Sequence, residues 1–207
     1  AWIIPHFEKM LYDNTQFILL LAKYCKVNNQ EYFKDKLEQT IDFLSLEFLN
    51  KDKLLGSAYD ADSEGEEGKY YVFKYEEIKN IDKINEYFEV SASGNWENKN
   101  ILVEKSKPPK AIIEKLLEIR KKRKKPFFDD KSQLDLNCLW ISSLIAAHEI
   151  LPKKKYLNLA EIFFSVIEEK YLKKNIQHSY SKEIVFIEDY AFLINALNDL
   201  SDKTLNF

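Results

Sequence analysis

The chain has 207 residues, 45% of them hydrophobic, which is long enough to bury a substantial core in one domain. Its 31 basic and 34 acidic residues give a net charge of −3, so nucleic acid and membrane surfaces are not expected partners. Every apolar run is shorter than a membrane span, and Cys25 and Cys138 form no disulfide or metal-binding pattern. We therefore expect a cytoplasmic protein without a metal ion or another cofactor.

Four long segments repeat apolar residues at helical spacing, which predicts four main helices. In the second of them, Leu37, Ile41, Leu44 and Phe48 follow one another at intervals of four, three and four. The predicted helices cover residues 10–27, 37–48, 136–150 and 157–171, with shorter ones at 74–88, 110–122 and 190–200.

The four glycines lie between Gly56 and Gly94, and the best strand signals, residues 70–73 and 100–103, fall in or near that region. We therefore expect an all-α, or mainly α, protein of antiparallel helical hairpins. A small β-hairpin insert is predicted after Gly56.

A weak internal repeat places a short polar side chain, Asp13, Asn137 or Asp189, at the start of three predicted helices. Helical hairpins that cannot bury their apolar faces alone stack side by side. If such hairpins close into a ring, their polar helix starts converge on one rim. The same three residues are equally compatible with a role as helix N-caps.

The densest group of ionisable side chains follows Pro5, which disfavours a helical conformation for the residue before it. His6 lies between this proline and the start of a helix, so we expect it to act as a proton carrier. The alternative is a capped helix with a rim of solvated charge.

A second acidic group, from Asp60 to Gly65, begins like a calcium-binding loop. It departs from that pattern because Glu64 replaces a shorter acid and Tyr71 stands where the bidentate acid should be. We expect Asp60 or Asp62 to be the electrostatic partner of His6. Paired acids beside a histidine suit acid–base chemistry on sugars or similar hydroxy-carbonyl compounds.

A third group contains the adjacent acids Asp129 and Asp130, which must point to opposite sides of an extended segment. One is expected to anchor a loop, with Arg120 or Arg123 as a candidate partner, and the other to face a cavity shared with His6. The alternative is that the whole group is solvated.

Of the other two histidines, His178 lies in a predicted loop and is a weaker candidate for a pocket residue. The mid-helix His148 is more consistent with packing or the surface. The full set of expected ligand-binding residues is Trp2, Glu8, Lys9, Asp13, Asp129, Asp130, Lys131, Asn137, Asp189 and Tyr190.

One long signature reads Trp2-x-x-Pro5-His6-Phe7-Glu8-Lys9-Met10-Leu11-Tyr12-Asp13-Asn14. With the later segments 59–64, 67–72, 94–95, 129–131 and 188–192, it resembles the thioredoxin-domain family of the spermatogenesis-associated thioredoxin-like protein. The resemblance covers essentially the whole chain. The third helix start departs from it, because Leu136 and Cys138 stand where the family has tryptophan and glycine.

The resemblance implies a thioredoxin-like domain followed by an (α/α)6 toroid, similar to N-acylglucosamine 2-epimerase and to six-hairpin glycosidases. Residues 1–207 would form a single partial toroid domain, without the thioredoxin-like domain and without the toroid ends. In the epimerase relatives, histidines move a proton on the sugar, and His6 is the best positional candidate here.

These expectations lead to two functional hypotheses. One is a sugar-processing, epimerase- or isomerase-like domain that binds a small sugar-like molecule. The other is a non-catalytic binding or scaffold module with a degenerate cleft. Because a partial ring leaves apolar faces uncovered, we also expect self-association.

Overall fold

The computed structural model describes residues 4–173, 175–179 and 184–204, and this part of the chain is mainly α-helical. Its helices are α1 (Leu11–Val27), α2 (Glu31–Glu47), α3 (Tyr75–Ile78), α4 (Ile84–Tyr87), α5 (Lys110–Lys121), α6 (Leu134–Ile150), α7 (Lys154–Ile167) and α8 (Ile187–Thr204). A π-helical turn, Glu168–Leu172, extends α7. The prediction of a mainly α protein with a small β insert is confirmed.

The strands are only two residues long. They are β1 (Lys9–Met10), β2 (Ala58–Tyr59), β3 (Asp62–Ser63), β4 (Glu66–Glu67), β5 (Phe88–Glu89), β6 (Val103–Glu104) and β7 (Phe128–Asp129). They form a three-stranded sheet in the order β1-β2-β7 and two antiparallel pairs, β3-β4 and β5-β6. In the described ranges, no helix combines the length and the apolar composition needed to cross a membrane.

The chain forms two compact units. Unit 1 contains Ala1–Lys9 and Tyr59–Phe127, and unit 2 contains Met10–Ala58 and Phe128–Phe207. Unit 1 holds α3, α4 and α5, and its buried core consists of Phe73, Ile78, Ile81, Ile84, Phe88, Ile112 and Leu116.

Unit 2 contains the long helices. Three-residue connections join α1 to α2 and α6 to α7, so each pair forms a helical hairpin. Helix α6 also packs against α1 and α8, which explains why residues on most of its surface are buried. Trp140 is fully buried at its centre and contacts the ring of Phe163 at 6.1 Å between centroids.

The insert in unit 1 differs from its predicted form. Residues 70–73 and 100–102 do not form strands: Phe73 and Asn100 make an isolated bridge, and Val103 begins β6, which pairs with β5. The N–H groups of Tyr71 and Val72 instead donate to the carbonyl of Gly68, at 2.8 and 3.1 Å. Because this turn uses those donors, they are not available to a neighbouring strand.

The predicted helix 74–88 is also broken into α3 and α4. Lys83 has a φ of 58°, a left-handed conformation that a continuous α-helix does not contain. The β-hairpin expected after Gly56 is present as β3 and β4, which Glu64 and Gly65 connect. Both turn residues have positive φ, as a two-residue hairpin turn requires.

Candidate functional site

Three ionisable side chains meet in unit 2, near the starts of two helices. Asp135 is the second residue of α6, Asp189 is the third residue of α8, and His178 comes from the segment before α8. The Nδ1 atom of His178 lies 2.9 Å from Oδ1 of Asp189 and 3.9 Å from Oδ1 of Asp135. We call these three residues the His178 cluster.

Backbone hydrogen bonds hold the histidine against both helix starts. The N–H of Leu134 donates to the carbonyl of His178 at 2.8 Å, and the N–H of His178 donates to the carbonyl of Ile184 at 2.7 Å. At the start of α8, the N–H of Phe186 donates to Oδ2 of Asp189 at 2.8 Å. An acid in a first helical turn satisfies such an N–H group and faces the positive end of the helix dipole.

The other ring nitrogen of His178 is also bound. Its Nε2 atom lies 2.9 Å from the amide nitrogen of Gln133, whose amide oxygen accepts a hydrogen bond from the Ser57 hydroxyl at 3.1 Å. This arrangement favours the tautomer in which Nδ1–H donates to Asp189 and Nε2 accepts from Gln133. The ring orientation is therefore fixed from both sides.

The His178 cluster contains two carboxylates in a poorly hydrated environment. The side chain of Asp189 is fully buried, and those of His178 and Asp135 are 17% and 16% exposed. Burial raises the pKa of Asp135 and nearby Asp189 adds to that rise, whereas the Leu136 N–H and His178 act in the opposite direction.

The same environment makes the neighbouring thiol unreactive. Burial, followed by the charges of Asp135 and Asp189, raises the pKa of Cys138 to about 12. Because only a thiolate is a good nucleophile, Cys138 is not expected to take part in chemistry at neutral pH.

The donor atoms of the His178 cluster could also hold a metal ion. One atom from each of Asp135, His178 and Asp189 lies within 4.8 Å of the other two. Imidazole nitrogen and carboxylate oxygen are ligands of divalent transition metals. The sequence alone indicates no metal site, because these three residues do not form a local ligand pattern in the chain.

In unit 1, the structure brings His6 and Lys9 to the wall of one cavity. His6 is exposed, and in the described part of the chain no hydrogen bond to it is present. The Nζ atom of Lys9 donates to the carbonyl of Phe7 at 2.9 Å and lies 3.3 Å from the ring centroid of Tyr71. Burial and nearby Arg120 lower the pKa of Lys9 to about 8.

The predicted acids of unit 1 lie at the surface. Glu8, Asp60 and Asp62 are exposed. A carboxylate oxygen of Asp60 accepts the N–H of Asp62 at 3.3 Å, so this acid stabilises its own turn. The role of these residues as partners of His6 stays a prediction.

In unit 2, Asp129 pairs with Lys131 at 3.0 Å and also accepts the N–H of that lysine. Asp13 and Asp130 are exposed. Neither suggested arginine is the observed partner: in the described ranges Arg120 forms no ion pair, and Arg123 pairs with Glu77 at 3.0 Å. The suggested cavity shared with His6 stays a prediction.

The remaining predicted residues have different surroundings. Asn137 is buried, and its amide binds the N–H and the carbonyl of Leu55 at 2.9 and 3.1 Å. Tyr190 is exposed next to the buried Asp189. Trp2 lies outside the described residues. Ligand binding by these residues stays a prediction.

Sequence reasoning selected Asp189 and gave less weight to His178, and it missed Asp135 and Gln133. The sequence pattern could have indicated Asp135, because it is an acid in the first turn of α6, just as Asp189 is an acid in the first turn of α8. The proximity of these residues depends on the packing of α6 against α8, which periodicity does not reveal.

Comparison with known proteins places the chain among relatives of low identity. No family model matches it. An uncharacterised protein of Caenorhabditis elegans is 27% identical, over 96% of this chain and 36% of its own length. Spermatogenesis-associated protein 20 of Homo sapiens is 23% identical, over 98% of this chain and 34% of its own length.

The Rattus norvegicus form of spermatogenesis-associated protein 20 gives the same identity and coverage as the human form. These matches support the resemblance to the family of the spermatogenesis-associated protein, which the signature from Trp2 to Asn14 indicates. The chain spans about a third of the length of the curated relatives it matches. It is therefore similar to one part of each of these proteins.

Proposed function

We propose that the chain is a partial α/α-toroid domain with an acid–base site at the His178 cluster, and that its ligand is a sugar-like hydroxy-carbonyl compound. The observation that carries the proposal is the meeting of Asp135, His178 and Asp189 at two helix starts. The toroid and the sugar ligand come from the family resemblance, and the residues come from the geometry of unit 2.

Asp135 is the group in this cluster that is best suited to exchange a proton with a ligand. Its side chain is partly exposed, whereas Asp189 is buried and is bound to His178 and the N–H of Phe186. A carboxyl group whose pKa is raised by burial can act as an acid, and then as a base after losing its proton.

The proposed reaction is proton transfer at the carbon next to a carbonyl group. Ionised Asp135 removes the proton from that carbon, and the electron pair moves onto the carbonyl oxygen. The carboxyl group of Asp135 exchanges this proton with solvent and then protonates the carbon, while the electron pair returns from the oxygen and the C=O bond forms again. His178 and Asp189 fix the position and the charge of Asp135 and do not themselves contact the reacting carbon.

The test is solvent exchange in D2O, with N-acyl hexosamines and ketoses as substrates and NMR detection of deuterium next to the carbonyl. Asp135→Asn should lower the exchange rate by about 100-fold or more, because it removes the acid–base group. Asp202→Asn is the matched control, since Asp202 is an exposed acid in the same unit and is not among the predicted ligand-binding residues. Thermal unfolding of each variant checks its fold.

A second comparison decides between the two candidate proton carriers. We expect His6→Gln to retain exchange and Asp135→Asn to lose it. The reverse result would assign the chemistry to His6 and overturn the proposal. Exchange that is lost with EDTA and restored by Mn²⁺ or Zn²⁺ would instead make the cluster a metal site.

The alternative function is a non-catalytic scaffold, and specific contacts favour it. Asp129 pairs with Lys131, Asp60 caps its own turn, and the amide of Asn137 binds backbone groups. These side chains stabilise loops in a way that needs no ligand. An absence of exchange with every sugar in the screen would support this alternative.

A further inference from the structure

The cavity in unit 1 combines an apolar wall with two cationic side chains. Its volume is about 310 Å³, and most of its surface comes from aliphatic and aromatic residues such as Phe73, Ile113 and Leu117. Lys9 and Arg120 also line it, and none of its lining residues in the described ranges is acidic. This composition differs from that of an ordinary core, where buried charges are paired.

The two cations lack acidic partners. In the described part of the chain, neither Lys9 nor Arg120 forms an ion pair, and the buried Nε atom of Arg120 has no hydrogen-bond partner. The guanidinium carbon of Arg120 lies 5.4 Å from the centroid of the Tyr70 ring. An unsatisfied buried N–H group is rare in folded proteins and requires an explanation.

The proximity of Lys9 and Arg120 disfavours the charged form of the lysine. Burial, and then the charge of Arg120, lower the pKa of Lys9 to about 8. Two like charges that share a cavity repel each other, and an anion between them would remove this repulsion.

We propose that this cavity binds a small organic acid, whose carboxylate is held by Lys9 and Arg120 and whose apolar body contacts the surrounding aliphatic and aromatic side chains. The guanidinium group supplies directed N–H donors for a carboxylate, and the lysine supplies a second positive charge. His6, on the same wall, lies at the exposed side of the cavity.

The volume of the cavity limits the size of the ligand. At roughly 30 Å³ for each non-hydrogen atom, as in liquid water, 310 Å³ holds about ten such atoms. An eight-carbon monocarboxylate has this size. The site is in unit 1 and is independent of the acid–base function proposed for the His178 cluster in unit 2.

The test is isothermal titration of the 207-residue chain with octanoate at pH 7, compared with 1-octanol and acetate. Octanoate should bind at a single site and at least about tenfold more tightly than either comparison molecule, since only octanoate has both the charge and the tail. Equal binding of octanoate and 1-octanol would overturn the proposal, because the cavity would then bind the apolar chain without recognising the carboxylate.

Variants test each part of the site. Lys9→Met and Arg120→Met should each weaken octanoate binding by about tenfold, whereas Arg120→Lys, which keeps the charge, should weaken it less. Lys121→Met is the matched control, since Lys121 is an exposed cation next to Arg120 on α5. Leu117→Trp keeps both cations and should block binding by filling the cavity.

The binding measurements still test the proposal if one of these variants fails to fold. Thermal unfolding identifies such a variant, and the remaining substitutions still test the charge and the tail separately. Unchanged octanoate affinity in folded Lys9→Met and Leu117→Trp would show that the ligand binds elsewhere and would overturn the proposal.

Discussion

At the scale of single residues, Lys9 illustrates how tertiary structure changes the character of a side chain. In the sequence it belongs to a charged segment, which predicts contact with a ligand. In the structure its amino group lies over the ring of Tyr71 and near Arg120, with a pKa lowered to about 8. Its folded pKa is therefore below its unfolded pKa.

This difference predicts how Lys9 affects stability. Between about pH 8 and pH 10.5 the unfolded chain binds a proton that the folded chain does not, so the stability of the wild type relative to Lys9→Met should rise with pH. At pH 7, Lys9→Met should stabilise the protein by at most about 3 kcal/mol, reduced by the lost bond to Phe7.

Urea unfolding at several pH values measures this effect, with Lys121→Met as the exposed control. A stability difference between the wild type and Lys9→Met that does not change between pH 7 and pH 10 would contradict the prediction.

At the scale of elements, α6 is the central helix of unit 2. It packs against α1, α7 and α8 and contributes Asp135 to the His178 cluster. Asn137 fixes this helix to the segment that follows α2, because its amide binds both backbone groups of Leu55 and also the carbonyl of Gln133. The Asn137 side chain therefore supplies the two hydrogen bonds that a neighbouring strand would otherwise give to the buried backbone of Leu55.

We predict that Asn137→Ala lowers the free energy of unfolding by about 2–4 kcal/mol, because it leaves the buried N–H and carbonyl of Leu55 unsatisfied. Asn158→Ala is the control, since Asn158 is exposed on α7 and alanine favours a helix. Equal stability of the two variants in urea unfolding would exclude this role for Asn137.

At the scale of the whole molecule, two helices of unit 2 carry exposed apolar side chains at helical spacing. On α1 these include Leu20 and Val27, and on α8 they include Ile187 and Ile194. Apolar stripes of this kind favour association with another apolar surface.

We predict that the isolated chain self-associates through these stripes. Light scattering should give a mass above that of the 24.6 kDa monomer, and Leu20→Lys with Ile194→Lys should restore the monomer. Lys23→Ala, at an exposed cation on α1, should leave the mass unchanged. A wild-type chain that stays monomeric at high concentration would refute this prediction.

The sequence alone determined the long helices, because helical periodicity is a local property. Segments 10–27 and 110–122 agree with α1 and α5 to within about one residue, whereas α2 begins at Glu31, before the predicted start at Leu37. The short elements of unit 1 were predicted less well. The N–H groups of Tyr71 and Val72 bond to Gly68, and the left-handed Lys83 interrupts a helical pattern.

The tertiary structure alone decided which polar residues meet. Asp189 was selected from the sequence as one of several acids at helix starts, but its histidine partner and Asp135 became apparent only where α6 packs against α8. Likewise, only folding brings Lys9 close to Arg120, over a hundred positions later in the chain. Charge and hydrogen bonding act over a few ångströms in space, so sequence spacing predicts such sites only when one helix or turn contains all their members.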